Sequence, residues 1–233
     1  MRNKIVPLIP PHTTYVEPFC GSAAIFFNKP KAKINVLNDL DADVTYQLDL
    51  LMSADSDPSL YPHDLKTLSQ LKEFYQHHPD TIEGELVAEK IAVSTGFCNL
   101  PVHSVKEIYN INNPWTTLRH LSDYQEMLED VTISHNDAFQ VIEQYDSPET
   151  FFFIDPPYEN SQKHYYDGHH SFDYDHLAHT LKQIQGKFIL TINQSPQILN
   201  FFQNFSIETT PLDSGWYHKN PAKIRNDLLI KNF

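Results

Sequence analysis

Four apolar residues, Phe151-Phe152-Phe153-Ile154, run straight into Asp155-Pro156-Pro157-Tyr158. The apolar run reads as a β-strand, and the two prolines end it, because each fixes φ and lacks the N–H that a ladder would need. Carbonyls in such a turn are left to accept hydrogen bonds from a ligand. One strand end therefore carries a carboxylate, a rigid backbone and an aromatic ring, a set suited to holding a flat heterocyclic amine. An Asp-Pro turn is also an ordinary way to leave a strand, so the residues upstream decide between the two readings.

Upstream, Thr14-Tyr15-Val16 leads into Glu17-Pro18-Phe19-Cys20-Gly21-Ser22 and then the run Ala23-Ala24-Ile25-Phe26-Phe27. The order predicts strand, glycine turn and helix start, with the glycine letting a ligand approach the backbone and the helix N-terminus offering N–H groups. A second strand, Ile34 to Leu37, ends in Asn38-Asp39, about twenty residues beyond the turn, where nucleotide-binding α/β folds place a carboxylate for ribose hydroxyls. No G-x-G-x-x-G is present, so this is not a dinucleotide fingerprint.

Glu-Pro-Phe-x-Gly-Ser at 17–22, Asn-Asp-Leu-Asp at 38–41 and Asp-Pro-Pro-Tyr at 155–158, in this order, resemble the Dam-like (D12 class) DNA adenine N6-methyltransferases. The resemblance continues through Val131 to Phe139, similar to the family's third cofactor segment, and Arg225 to Phe233, similar to its final strand. It implies a Rossmann-like S-adenosylmethionine-dependent methyltransferase fold, with a mainly parallel sheet, a C-terminal antiparallel hairpin and a helical insertion. It further implies that Asp155 and the Pro156 carbonyl accept from adenine N6, that Pro157 shapes the turn, and that Tyr158 stacks on a base flipped out of double-stranded DNA. On the cofactor side it implies that Glu17, Pro18, Phe19, Gly21 and Ser22 wrap the methionine and ribose of S-adenosylmethionine. Asp39 would take the ribose hydroxyls, and Asp137 with Phe139 would contact the adenine. Read without the family, Asp137 is a turn or helix N-cap and Phe139 a core residue.

The strands Val131–Ile133, Phe151–Ile154 and Lys187–Ile192, with a helix over 174–185, continue an alternating pattern that implies a mainly parallel sheet. A helix is expected over Asp41–Met52, and Ser206–Thr209 with Leu228–Lys231 would form the closing hairpin around a turn-rich 211–221 segment. Residues 1–52 and 131–233 are thus expected to form the catalytic domain. Residues 53–130 would be an inserted, mainly helical region, with Leu68, Leu71, Phe74 and Tyr75 in one helical segment and Leu86, Val87, Ile91 and Ala92 in another. Within it the loops 95–99 and 110–115, with Lys106, Arg119 and His120 as neighbouring cations, are candidates for target recognition and equally for ordinary surface loops.

Composition constrains partners more than fold. A formal charge of −13 over 233 residues opposes DNA binding by the average surface, so a basic face would have to be local. No stretch of eighteen apolar residues is present, and a soluble, cytoplasmic protein without membrane association is expected. Cys20 and Cys98, the two cysteines, read as reduced thiols. The histidines at 164, 169, 170, 176 and 179 invite a metal, but with no cysteine near them a flexible lid over 159–171 is the expectation, and no metal site is assigned.

Family members usually begin with a segment carrying a Gly-Gly-Lys element beside the glycine turn, and Ile5 to Pro11 resembles the stretch immediately C-terminal to that segment. The expectation is a cofactor pocket completed by other residues or by a second subunit. The rival reading is a non-catalytic binding or structural subunit on the same fold, and a third is an amine methyltransferase acting on RNA, protein or a small molecule. The intact 155–158 tetrapeptide favours catalysis. The order of motifs along the chain favours DNA adenine, with or without a restriction partner.

Overall fold

The strand that ends at Asp155 is buried along its length, from Thr150 to Ile154, and lies at the centre of a seven-stranded sheet. The computed structural model describes residues 2–53, 67–79, 81, 83–84, 121–158, 172–210 and 227–233. Its strands are β1 (Thr14–Glu17), β2 (Ile34–Asn38), β3 (Val131–Ser134), β4 (Thr150–Ile154), β5 (Lys187–Asn193), β6 (Ser206–Thr210) and β7 (Asp227–Lys231). They lie in the order β3-β2-β1-β4-β5-β7-β6. The first five pair in parallel, and β7 runs antiparallel between β5 and β6. This is a Rossmann-like α/β fold with an antiparallel end.

The order reverses between β1 and β4. From β1 the chain builds outward through β2 to β3, and from β4 it builds the other way to β5, so the C-terminal ends of β1 and β4 flank a crevice between diverging connections. The loops that leave those two ends are 18–22 and 155–158.

Period-2 alternation sorts the strands into two faces. Val16, Val36, Phe152, Ile154, Phe188, Leu190, Ile192, Leu228 and Ile230 belong to one apolar cluster. Covering helices contribute Val141 and Ile142 from α5 (Ala138–Tyr145), Leu177, Ala178 and Leu181 from α6 (Tyr174–Gln183), and Ile198 from α7 (Pro196–Phe201). The opposite face carries Tyr15 and Glu17 of β1, Phe151 and Phe153 of β4, and Thr191 and Asn193 of β5, all buried. Asp155 continues the parity of Phe151 and Phe153, which places it on this second, partly polar face.

The chain divides into two compact units, Met1–Tyr46 with Asp130–Phe233, and Gln47–Glu129. The first holds the sheet and the helix α1 (Arg2–Ile5). The helix α2 (Ala42–Ser53) runs past the boundary, and the second unit contains α3 (Leu68–His77) and α4 (Leu121–Leu128). Helix α3 starts at a capping box: the Thr67 hydroxyl accepts from the Gln70 N–H at 3.3 Å, and the Gln70 side chain accepts from the Thr67 N–H at 3.0 Å. Among the described residues no helix is long and apolar enough to cross a membrane.

One local expectation is overturned. The run Ala23 to Phe27 is no α-helix: Gly21 and Ala23 both have positive φ, +46° and +50°, and only a short 3-10 turn forms over Phe26–Asn28. The buried Glu17 carboxyl oxygen captures the Phe26 N–H at 2.8 Å, and Pro30 cannot continue a helix. The segment 86–92, the loops 95–99 and 110–115, the cations Lys106, Arg119 and His120, Cys98, the segment 159–171 and the turn 211–221 lie outside the described residues.

Candidate active site

At the β2 end, Asn38 is fully buried and uses its whole amide. Its Nδ2 donates to the carbonyls of Pro18 and Asn136, each at 3.0 Å, while its Oδ1 accepts from the Ser134 hydroxyl at 2.7 Å and the Asn136 N–H at 2.9 Å. The Cys20 N–H donates to the Asn38 carbonyl at 2.8 Å. One side chain thereby ties the loop after β1 to the loop after β3. Sequence reasoning placed Asn38 in a motif but gave it no role. Its signal was an amide at the end of an apolar strand.

Asp39 comes next, and its carboxylate accepts from the Gly21 N–H at 2.9 Å and the Asp41 N–H at 3.0 Å. Burial holds its proton affinity above the usual carboxylate range, against these backbone bonds. Gly21 and Asp39, expected on the cofactor side, are thus brought into contact. Exposed Gly21 sits in the left-handed region, where a side chain is strained, and no atom lies within 4 Å of where a Cβ would stand. That opening lets a ligand reach the turn backbone. Ser22 is exposed beside it.

Glu17 faces the other way. It is 1% exposed, and its Oε1 accepts from the Tyr15 hydroxyl at 2.6 Å and the Phe26 N–H at 2.8 Å, so it braces the turn from beneath. Burial pushes its carboxyl up to about 8, and the charge of Asp155 adds to the rise. Lys29 is buried nearby, with its Nζ 4.0 Å from the Tyr15 ring centre and 2.7 Å from the Pro30 carbonyl, and burial pushes it down to about 8.

Glu17 makes stability depend on pH. Between its unfolded value near 4.5 and about 8 the folded chain keeps a proton that the unfolded chain has lost, so this group's contribution to stability falls as pH rises through that window. Glu17→Gln does not titrate. Thermal unfolding of the variant relative to the parent should therefore improve steadily from pH 5 to pH 8, by on the order of a few kcal/mol. A difference that stays flat with pH contradicts the protonated, buried state of Glu17.

Aromatic rings join the two halves of the site. Phe19 meets Phe172 edge-on at 5.5 Å, and Phe139 lies nearly parallel to Phe172 at 6.0 Å and to His176 at 4.2 Å. Phe172 packs edge-on against Tyr174 at 5.0 Å, whose hydroxyl donates to the Pro157 carbonyl at 2.6 Å. Neither Phe172 nor Tyr174 was anticipated as a site residue. Asp137 is exposed and caps α5, its Oδ1 accepting from the Phe139 and Gln140 N–H groups at 2.9 and 3.3 Å. The capping reading of Asp137 is therefore what the structure displays. His176 is occupied by its stack and His179 by the Gln183 amide at 2.9 Å; among the described residues no His, Cys, Asp or Glu cluster gathers to hold a metal.

Asp155 closes the site. The Thr191 hydroxyl donates to its Oδ1 at 2.7 Å, and the Tyr158 hydroxyl is a second donor to the carboxylate. Burial, the larger cause, and the charge of Asp227 push the carboxyl up to about 6 against those two hydrogen bonds. Pro156 is buried, and Pro157 and Tyr158 are half-buried. Near neutral pH the arrangement presents an anion at the C-terminal end of β4.

A family model described as D12 class N6 adenine-specific DNA methyltransferase matches residues 1–211. Among solved structures, a conserved hypothetical protein of Streptococcus pyogenes is 9% identical, with 100% of this chain and 96% of that chain covered at a TM-score of 0.43. The putative methyltransferase yhhF of Escherichia coli is 11% identical, with 99% and 82% covered at a TM-score of 0.41. No curated protein matches the chain.

Proposed function

This chain belongs to the D12 class N6 adenine-specific DNA methyltransferase family, and from that premise we propose that it moves a methyl group from S-adenosylmethionine to N6 of an adenine turned out of duplex DNA. The observation that carries this reading is that the 17–22 and 155–158 motifs stand at the C-terminal ends of the paired parallel strands β1 and β4, where the strand order reverses. S-adenosylmethionine would supply an electrophilic methyl on its sulfonium. The residues fit such a ligand: Gly21 leaves open space over its backbone, Asp39 stands beside it, and Phe19 and Phe139 converge on Phe172.

Adenine N6 is a weak nucleophile because its lone pair is delocalised into the ring. Acceptors aimed at both of its N–H groups localise that pair and stabilise the positive charge that grows on nitrogen. Asp155 takes one such bond. The Pro156 carbonyl takes the other, as the family resemblance implies, while the neighbouring Pro157 carbonyl accepts from Tyr174. Tyr158 stacks on the base, which must leave the helix to arrive here, at a cost of roughly a few kcal/mol. Target recognition falls within residues 53–130, which supply no strand to the sheet among the described residues.

Calorimetric titration of the chain with S-adenosylmethionine tests the cofactor assignment. Saturable heat is expected from the chain alone. Binding that appears only with a second protein would move the completion of the pocket to a partner, and no binding under any condition would overturn the reading.

A further inference from the structure

Strand β5 reads Lys187-Phe188-Ile189-Leu190-Thr191-Ile192-Asn193, and Thr191 is its one hydroxyl, fully buried in an otherwise apolar middle. A buried hydroxyl is costly unless it finds a partner. Valine would fill the same space and suit the strand equally well. Here the acceptor is the Asp155 carboxylate, because Ile154 is level with Leu190 and the next residue of each chain points to the same face. On its other side Thr191 is level with Leu229 of β7, whose side chain offers no acceptor.

Asp155 needs such a donor. Its burial and the carboxylate of Asp227, from β7, both work against its ionised form. Tyr158 and Thr191 oppose them. The two donors differ in what they can do. Tyr158 is half-buried in the loop that must receive the base, so an incoming amine can replace its hydroxyl. Thr191 is anchored in a strand with neighbours on both sides and stays in place.

We infer that Thr191 is a positioning residue for the transfer: its hydroxyl fixes one oxygen of Asp155 and so aims the rest of the carboxylate at the amine that displaces Tyr158. The inference rests on the reading of Asp155 as the amine acceptor. It is separable from that reading, because the Asp155 carboxyl can be titrated by NMR on protein carrying carbon-13-labelled aspartate, without substrate.

Thr191→Val removes the hydroxyl and keeps the shape, Thr191→Ser keeps the hydroxyl, and Thr191→Ala repeats the deletion should valine not fold. Loss of a donor to the charged form should move the Asp155 midpoint upward in the Val and Ala variants and leave it near the parent's in the Ser variant. Methyl transfer should lose about 10- to 100-fold in kcat in the Val variant. KM for S-adenosylmethionine should be nearly unchanged, and the Ser variant should recover most of the rate. An unchanged midpoint in a folded hydroxyl-free variant overturns the role of Thr191 alone. A shifted midpoint in a chain whose parent transfers no methyl to adenine instead removes the reaction that Thr191 is proposed to serve.

Discussion

Asp155→Ala should cut methyl transfer by about 100- to 1000-fold or more, while the affinity for S-adenosylmethionine changes little. The size of the loss reflects what the carboxylate does in the proposed reaction. It accepts from the amine and faces charge that exists only as the methyl is attacked, and removing one preorganised partner of that kind costs about 2.7–4 kcal/mol of barrier. Cofactor affinity is spared because no bond joins Asp155 to the glycine turn; the Gly21 and Asp39 contacts remain. In the parent the same group dictates pH dependence. With its carboxyl pushed up to about 6, the required anion forms as pH rises through that value, so the rate should climb over the same range. Rates from tritiated cofactor, set beside calorimetric affinities for the same preparations, decide the matter. Equal loss of binding and transfer would mean that Asp155 holds the cofactor pocket together and does not act on the amine.

Asn38→Ala should produce the largest loss of stability among the site residues, about 3 kcal/mol or more in denaturant unfolding, together with weakened cofactor binding. Four hydrogen bonds disappear at a fully buried position. The carbonyls of Pro18 and Asn136, the Ser134 hydroxyl and the Asn136 N–H lose that partner without gaining another from alanine. A buried polar group stripped in this way costs about 1–3 kcal/mol, and Asn38 serves several at once. Because it joins the loops after β1 and β3, its loss should also loosen the turn that carries Gly21. A stability change below about 0.5 kcal/mol would show that water or a local shift replaces the amide.

The strands were legible because their apolar runs end at strong punctuation: Glu17-Pro18 at the end of β1, Asn38-Asp39 at the end of β2, Asp155-Pro156 after β4. In the structure, period-2 parity places Asp155 on the face opposite the apolar cluster that α5, α6 and α7 cover. The glycine turn was misread because Ala23 to Phe27 has helical composition, while its backbone is governed by Glu17, a residue outside the window that local propensity sees. Thr191 and Tyr174 were invisible for a related reason. Each touches the tetrapeptide across a sheet or helix packing, 36 and 17 residues away in sequence, and nothing local marks such a contact. Asp137 shows the converse: Asp before an apolar helix start is a cap on local grounds, and the structure uses it as one.

The most direct test is to incubate the chain with S-adenosylmethionine bearing an isotope-labelled methyl and unmethylated double-stranded DNA, digest the product to nucleosides, and identify the labelled one by mass spectrometry. Label in N6-methyladenine, present for the parent and absent for Asp155→Ala, is the predicted result. Label on another base, label that persists in Asp155→Ala, or a chain that binds the cofactor and DNA yet transfers nothing would contradict it, the last pointing to a non-catalytic subunit built on the methyltransferase fold.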